Sequence, residues 1–200
     1  GYLAESNGTV DIADMTKGVN YTTQSIETGK NITDMRIKNG VLVVSAYASP
    51  ELTVMKYHEG YGKKETASYD NTVEELAYSA GETYYAVRVY GITEPEKVYF
   101  YRTEDDFCVG EWTSEDERGY LKTIGFLDDT QFVFVHTRDG ITFYDVETGE
   151  TEQLNIDLDM VSPECHWNGY MALLYDMRQY YVVDLRQRKL LYCGETGGYI

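Results

Sequence analysis

Three histidines, three cysteines and thirty-four carboxylates are the groups in this 200-residue chain that could do chemistry. His58, His136 and His166 stand in no His-x-x-x-His or His-Glu-x-x-His spacing, so no helix turn could aim two of them at one zinc ion. His136 closes an apolar run and reads as a strand-end residue. Cys165 and His166 are adjacent in sequence. In a strand they point to opposite faces and cannot converge as nucleophile and base. The chain contains no Gly-x-Ser-x-Gly elbow, phosphate loop or dinucleotide-binding glycine pattern. Cys108, Cys165 and Cys193 are odd in number and form no Cys-x-x-Cys pair, which excludes a full disulfide framework and allows at most one bridge. Each adjoins an apolar stretch, so buried thiols are expected.

The carboxylates are the sharpest feature. Net charge is -17, from 34 acidic and 17 basic residues. This argues against nucleic acid, whose phosphates need clustered Lys and Arg, and against an anionic membrane surface. No run of 18 apolar residues exists, so no membrane-inserted helix is expected. Between Glu104 and Glu117 there are seven acids and no Lys or Arg, and between Asp139 and Asp176 nine acids and again no Lys or Arg. Carboxylates on neighbouring loops could hold Ca²⁺ or a basic partner. A solvated acidic rim is the simpler expectation. Asp157-Leu158-Asp159 alone lacks the glycine-containing loop and further ligands of a calcium site, and no other cofactor is implied.

The positioning elements read as strands. Turn signals recur at Asn7-Gly8, Asn39-Gly40, Gly81, Asp128-Asp129 and Asn168-Gly169, with later spacings near 40 residues. That is the length of a four-stranded propeller blade. The units run about 1–33, 34–70, 73–112, 119–156 and 160–193. The first is doubtful, because too few residues precede Asn39 for both a fourth strand and the next first one. Runs such as Val41–Val44, Val98–Tyr101, Phe132–Val135 and Met171–Leu174 are apolar without alternation, as expected where sheets stack and bury both faces. Asp139-Gly140 predicts a two-residue hairpin. Thr72 and Glu75 match a helix capping box, but the repeat places a strand there. The chain begins Gly-Tyr-Leu rather than with Met, so removal of upstream residues is expected.

Phe143-Tyr144-Asp145-Val146-Glu147-Thr148-Gly149-Glu150 resembles the turn between third and fourth strands in bacterial propellers of the YVTN, PQQ-like and WD40-like kinds. Val182-Val183-Asp184-Leu185-Arg186-Gln187-Arg188-Lys189 is a degenerate copy 39 residues on. The resemblance implies an all-β, β-propeller-like array of four-stranded antiparallel blades, four clear and one doubtful, forming a whole ring or part of one. One end of such an array would gather Glu94, Glu96, Glu115, Asp116, Glu117, Asp157 and Asp159 as an acidic binding face. The leading functional expectation is a non-enzymatic binding or scaffold module, with a protein or carbohydrate partner, in a bacterial surface or secreted protein. Two alternatives stand beside it: a glycan- or peptide-processing enzyme using loop carboxylates such as Asp157 or Glu115, and a structural segment of a larger surface protein.

Overall fold

The computed structural model describes residues 2–4, 9–13, 22–27, 32–38, 41–46, 50–58, 61–90, 95–114, 121–136, 140–156, 164–175 and 178–195. Within them the chain forms strands and no helix. It divides into two compact units, Gly1–Glu74 and Glu75–Ile200.

The first unit holds two antiparallel sheets. One is three-stranded among the described residues: β1 (Tyr2–Ala4), β2 (Thr9–Ala13) and β3 (Thr22–Glu27). The other has four strands: β4 (Asp34–Lys38), β5 (Val41–Ala46), β6 (Glu51–His58) and β7 (Tyr61–Ser68). Val10 of the first sheet packs with Leu42 and Val44 of the second, and Ile32 and Met35 close the cluster.

The second unit is three four-stranded antiparallel meanders, each in chain order. The first contains β8 (Thr72–Tyr78), which spans the boundary between units, β9 (Tyr84–Tyr90), β10 (Lys97–Arg102) and β11 (Phe107–Thr113). The second contains β12 (Leu121–Phe126), β13 (Gln131–His136), β14 (Gly140–Asp145) and β15 (Thr151–Leu154). The third contains β16 (Glu164–Asn168), β17 (Met171–Tyr175), β18 (Gln179–Asp184) and β19 (Lys189–Glu195). The capping-box pattern at Thr72 thus yields to strand pairing with β9, in which β-branched and aromatic residues dominate.

Register explains the apolar runs. Phe132 pairs with Tyr144 and Phe134 with Thr142, so these share one face of the middle sheet. Val133 pairs with Phe143 and Val135 with Ile141 on the other. The first face packs against Ala86, Val98 and Phe100 of the preceding sheet. The second packs against Ala172, Leu174, Tyr181 and Val183 of the following one. Aromatic rings dominate the first contact: Phe100 stacks on Tyr144 with centroids 4.4 Å apart and meets Phe132 edge-on at 5.3 Å.

Polar ties fix the same stacking at the turns. The Asp129 carboxylate accepts hydrogen bonds from Ser79 Oγ (2.8 Å), the Gly81 amide (2.8 Å) and Thr83 Oγ1 (3.0 Å), so one sheet's first turn is anchored to that of the sheet before it. Arg188 of the last sheet pairs with Glu152 of the middle one and covers the Phe143 ring at 4.9 Å.

The turns after β10, β14 and β18 share a geometry that the sequence discloses only in part. Asp106, Gly149 and Arg188 hold the same place and all have positive φ, at 56°, 73° and 52°. Asp145 Oδ1 accepts from the amides of Glu147 and Thr148, and Asp184 Oδ1 from that of Gln187. β11 and β19 also carry a bulge at matching positions, opposite Phe100/Tyr101 and Val182/Val183.

One turn differs from expectation. His136 pairs with Gly140, so three residues, not two, link β13 and β14. Gly140 itself lies in the ladder at φ 79°, and a Cβ there would stand 2.5 Å from the Leu154 carbonyl oxygen. Glycine is required by both conformation and space.

Phe132→Ala is expected to cost about 3–5 kcal/mol by emptying the aromatic contact between sheets. Asp129→Ala, which removes a carboxylate with three donors, is expected to cost about 2 kcal/mol. Urea titration followed by tyrosine and tryptophan fluorescence measures both. A loss below about 0.5 kcal/mol at Asp129 would mean that the tie between turns is incidental.

Candidate functional site

A buried polar cluster joins the first two sheets of the second unit. Arg88 of β9 reaches Glu75 of β8 through Nε at 3.2 Å and Glu96 through Nη1 at 3.1 Å. The same Nη1 donates to the Leu121 carbonyl (3.3 Å), and the Leu121 amide donates to Glu96 Oε1 (3.4 Å). Beside it, the Ser114 amide donates to the Glu96 carbonyl (3.0 Å), and Ser114 Oγ lies 3.2 Å from His136 Nε2. Glu96, Ser114 and His136 are 6%, 4% and 0% exposed. A hydroxyl against an imidazole is a nucleophile–base pair by type, but this one is closed to solvent, and its neighbours are structural. Its evident work is to hold the end of β11 and the start of β12 against β9 and β13.

Of the expected acidic face, only Glu96 falls among the described residues; Glu94, Glu115, Asp116, Glu117, Asp157 and Asp159 lie outside them. Glu96 is not a rim carboxylate but a buried one, because Arg88 meets it inside the sheet pair. In the described part of the two acidic runs, Asp105 and Glu152 are paired with arginines that lie outside those runs. Arg102 grips Asp105 through two hydrogen bonds (2.9 and 2.6 Å), Arg188 pairs with Glu152, and Asp145 is spent on its turn. The Arg102 hydrogen bonds hold the exposed Asp105 carboxyl down at about 2. Among the described residues, no group of three or more His, Cys, Asp and Glu side chains is placed to hold a metal ion. No helix there is long and apolar enough to cross a membrane, which says nothing of a β-barrel.

The cysteine expectation needs correction. All three are thiols outside any disulfide, but Cys108 and Cys193 are exposed and Cys165 is half-buried. Cys108 and Cys193 lie on β11 and β19, the fourth and outermost strands of their sheets, where an apolar sequence neighbourhood does not bring burial. Partial desolvation raises the Cys108 pKa, and the contact of its sulfur with the Gly110 carbonyl acts in the opposite direction.

Two open surfaces remain. An open groove of about 480 Å³ lies between β15 and the β18–β19 pair, lined by Leu154, Ile156, Leu190, Gln179, Tyr181 and Glu195 among others. Its size suits a small ligand. Among the described residues that line it, Glu195 is the one carboxylate, and glycoside hydrolysis needs two. The second surface is the outward face of the last sheet. His166, Leu173, Val182 and Tyr192 line up across its four strands by register. Met171, Leu173 and Tyr192 there are 40%, 37% and 57% exposed. Tyr180 stacks on Tyr192 at 5.6 Å, and His166 on Tyr175 at 5.7 Å with Nε2 3.1 Å from the phenol oxygen. The hydrogen bond to Tyr192, with desolvation, raises the Tyr180 pKa. Sequence reading passed over this face because Met171–Leu174 is as apolar as the runs that are buried on both sides.

Glu96→Ala removes one of the two carboxylates that Arg88 meets and an acceptor of the Leu121 amide, and is expected to cost about 1–3 kcal/mol, against a small loss for exposed acids such as Glu150; thermal denaturation of both variants tests this. For Asp105 the folded pKa lies below the unfolded value of about 3.9. Its stabilising contribution is therefore present above that value and disappears as pH falls through about 2. Carboxyl-carbon NMR should find its midpoint near 2, and Arg102→Gln should move it up to the ordinary range; an unmoved midpoint would refute the pairing. Ellman's reagent should label Cys108 and Cys193 in the folded protein and Cys165 far more slowly.

No family profile matches the chain, and no curated protein does. Among solved structures the chain is similar to the crystal structure of the computationally designed Ika8 protein, with a TM-score of 0.64 and 14% identity over 99% of this chain. It is also similar to a functionally unknown protein from Desulfotomaculum acetoxidans DSM 771, with a TM-score of 0.63 and 9% identity over 98% of this chain. The chain spans 58% and 66% of their lengths. At these identities the likeness is one of fold: an all-β chain of four-stranded antiparallel sheets, compatible with repeated blade-like units.

Proposed function

We propose that the chain is a non-enzymatic binding module, a propeller-like array of blades that engages a protein partner through the outward face of its last sheet. The observation that carries this reading is the exposure of Met171, Leu173 and Tyr192 on one sheet face. A contiguous apolar face left to solvent marks an interaction surface more often than a catalytic one. Aliphatic side chains at its centre suit a protein better than a sugar, which asks for hydrogen-bonding groups beside its aromatic platform. The blade arrangement is supported by the close approach of the first strands of neighbouring sheets: a Cβ on Gly125 of β12 would lie 3.3 Å from the Trp167 ring of β16.

A processing enzyme has less behind it. The Ser114–His136 pair is sealed, and among the described residues the groove offers one carboxylate, Glu195. The extracytoplasmic setting belongs to the same proposal and has a specific counterweight, since exposed thiols at Cys108 and Cys193 suit a reducing compartment better.

Steady-state assays on aryl glycosides and peptide amides test the reading. Product should not accumulate faster than with the heat-denatured chain. Multiple turnover by the folded chain, lost on substituting Glu195 in the groove, would replace the binding module with an enzyme.

A further inference from the structure

The two places where sheets of the second unit meet are filled differently. Val98 of β10 and Ile141 of β14 hold one place in the repeat, each at the same distance before the positive-φ turn residues Asp106 and Gly149. The fourth strand beside that place brings Trp112 opposite Val98 in the first sheet and Leu154 opposite Ile141 in the middle one. Trp112 reaches across to the middle sheet, where its ring centroid lies 4.2 Å from that of Phe134. Leu154 brings a much smaller side chain, and the open groove of about 480 Å³ lies beside it. The facing wall belongs to the last sheet, where Cys193 pairs with Tyr181 and Glu195 with Gln179.

That difference defines the occupant's chemistry. The apolar part of the lining is Leu154, Ile156, Leu190 and the ring of Tyr181, with Ile156 and Tyr181 deeply buried. Packed sheets stand about 10 Å apart, so a flat ring is the shape that enters between them. The preceding pair of sheets meets the same need with the indole of Trp112; beside Leu154 the ring has to come from outside the chain. The polar part holds one end. Tyr181 Oη donates to Gln179 Oε1 at 2.7 Å. Among the described residues that line the groove, the exposed Glu195 is the one charged group. Its sign, within a chain of net charge -17, selects a cation.

We propose that this groove binds a small arylalkylamine, with the ring beside Leu154 in the role that Trp112 plays one sheet earlier and the ammonium at Glu195. This is a second site, on the opposite side of the last sheet from its outward face. An open groove buries only part of a ligand of about a dozen heavy atoms, so affinity is on the order of millimolar. The rim ion pair is solvated and contributes about two- to five-fold of it.

Iodoacetamide alkylation of the folded chain, read cysteine by cysteine by mass spectrometry, tests this. Cys193 lines the groove, and Cys108 on β11 is the internal reference. Tryptamine is the probe; indole-3-propionate carries a similar ring with the opposite charge, and hexylamine the same charge without a ring. Tryptamine should slow alkylation of Cys193 and leave that of Cys108 unchanged, with half-protection on the order of a millimolar. Indole-3-propionate should need about two- to five-fold more, and hexylamine should protect less than tryptamine. Glu195→Gln should make the two indoles equal. Leu154→Trp, checked by circular dichroism and melting temperature, should fill the place from within and abolish protection by every probe. Cys193 left unprotected by tryptamine overturns the proposal, as does protection that indole-3-propionate or hexylamine matches in the wild type. Each of these results leaves the binding-module reading intact, because that reading falls on catalytic turnover, which is measured separately.

Discussion

The two central strands of the second unit's middle sheet, β13 and β14, have no wet face. Phe132, Phe134 and Tyr144 press on one neighbour, and Val133, Val135, Ile141 and Phe143 on the other, all at most 5% exposed. A sheet of this composition cannot exist alone in water, since burial of each large side chain is worth about 1.5–3 kcal/mol and that stabilisation is absent until both neighbours are in place. The neighbours are therefore a requirement of the sequence of β13 and β14. Polar groups then select one alignment of the stack. Asp129 ties turn to turn on one side, and Arg188 with Glu152 ties it on the other. Apolar stacking supplies most of the stabilisation, and these contacts set its register.

The polar interior follows from the same constraint. Where sheets meet, the ends of strands must satisfy their backbone groups without water. Arg88, Glu96, Ser114 and His136 do so around Leu121, and the result resembles a catalytic cluster in residue type only. A paired buried carboxylate is costly to form and costlier to break. It contributes specificity of alignment more than net stability.

Much of this architecture is legible in the sequence. The turn signals and two-sided apolar runs placed most strands to within a few residues, and Asp145 and Asp184 marked a real turn. The third copy of that turn, Arg102 to Asp106, was invisible because Arg102 stands where Asp145 and Asp184 accept the turn amides. Glu96 was misread because pairing with Arg88 depends on strand register, which a charge run does not reveal. Cys108 and Cys193 were misread because an apolar neighbourhood on an outermost strand is not burial. The face at Leu173 and Tyr192 was missed for the opposite reason: its residues are of the types found in a buried stack, and composition does not reveal that these two are 37% and 57% exposed.

Native-state hydrogen exchange, read residue by residue, tests the dependence on stacking most directly. If two-sided burial organises the unit, the amides of β13 and β14 exchange most slowly, through global unfolding alone, and those of β18 and β19 exchange faster through local opening. Equal protection of β14 and β19, or faster exchange in the middle sheet than in the last one, would contradict the account.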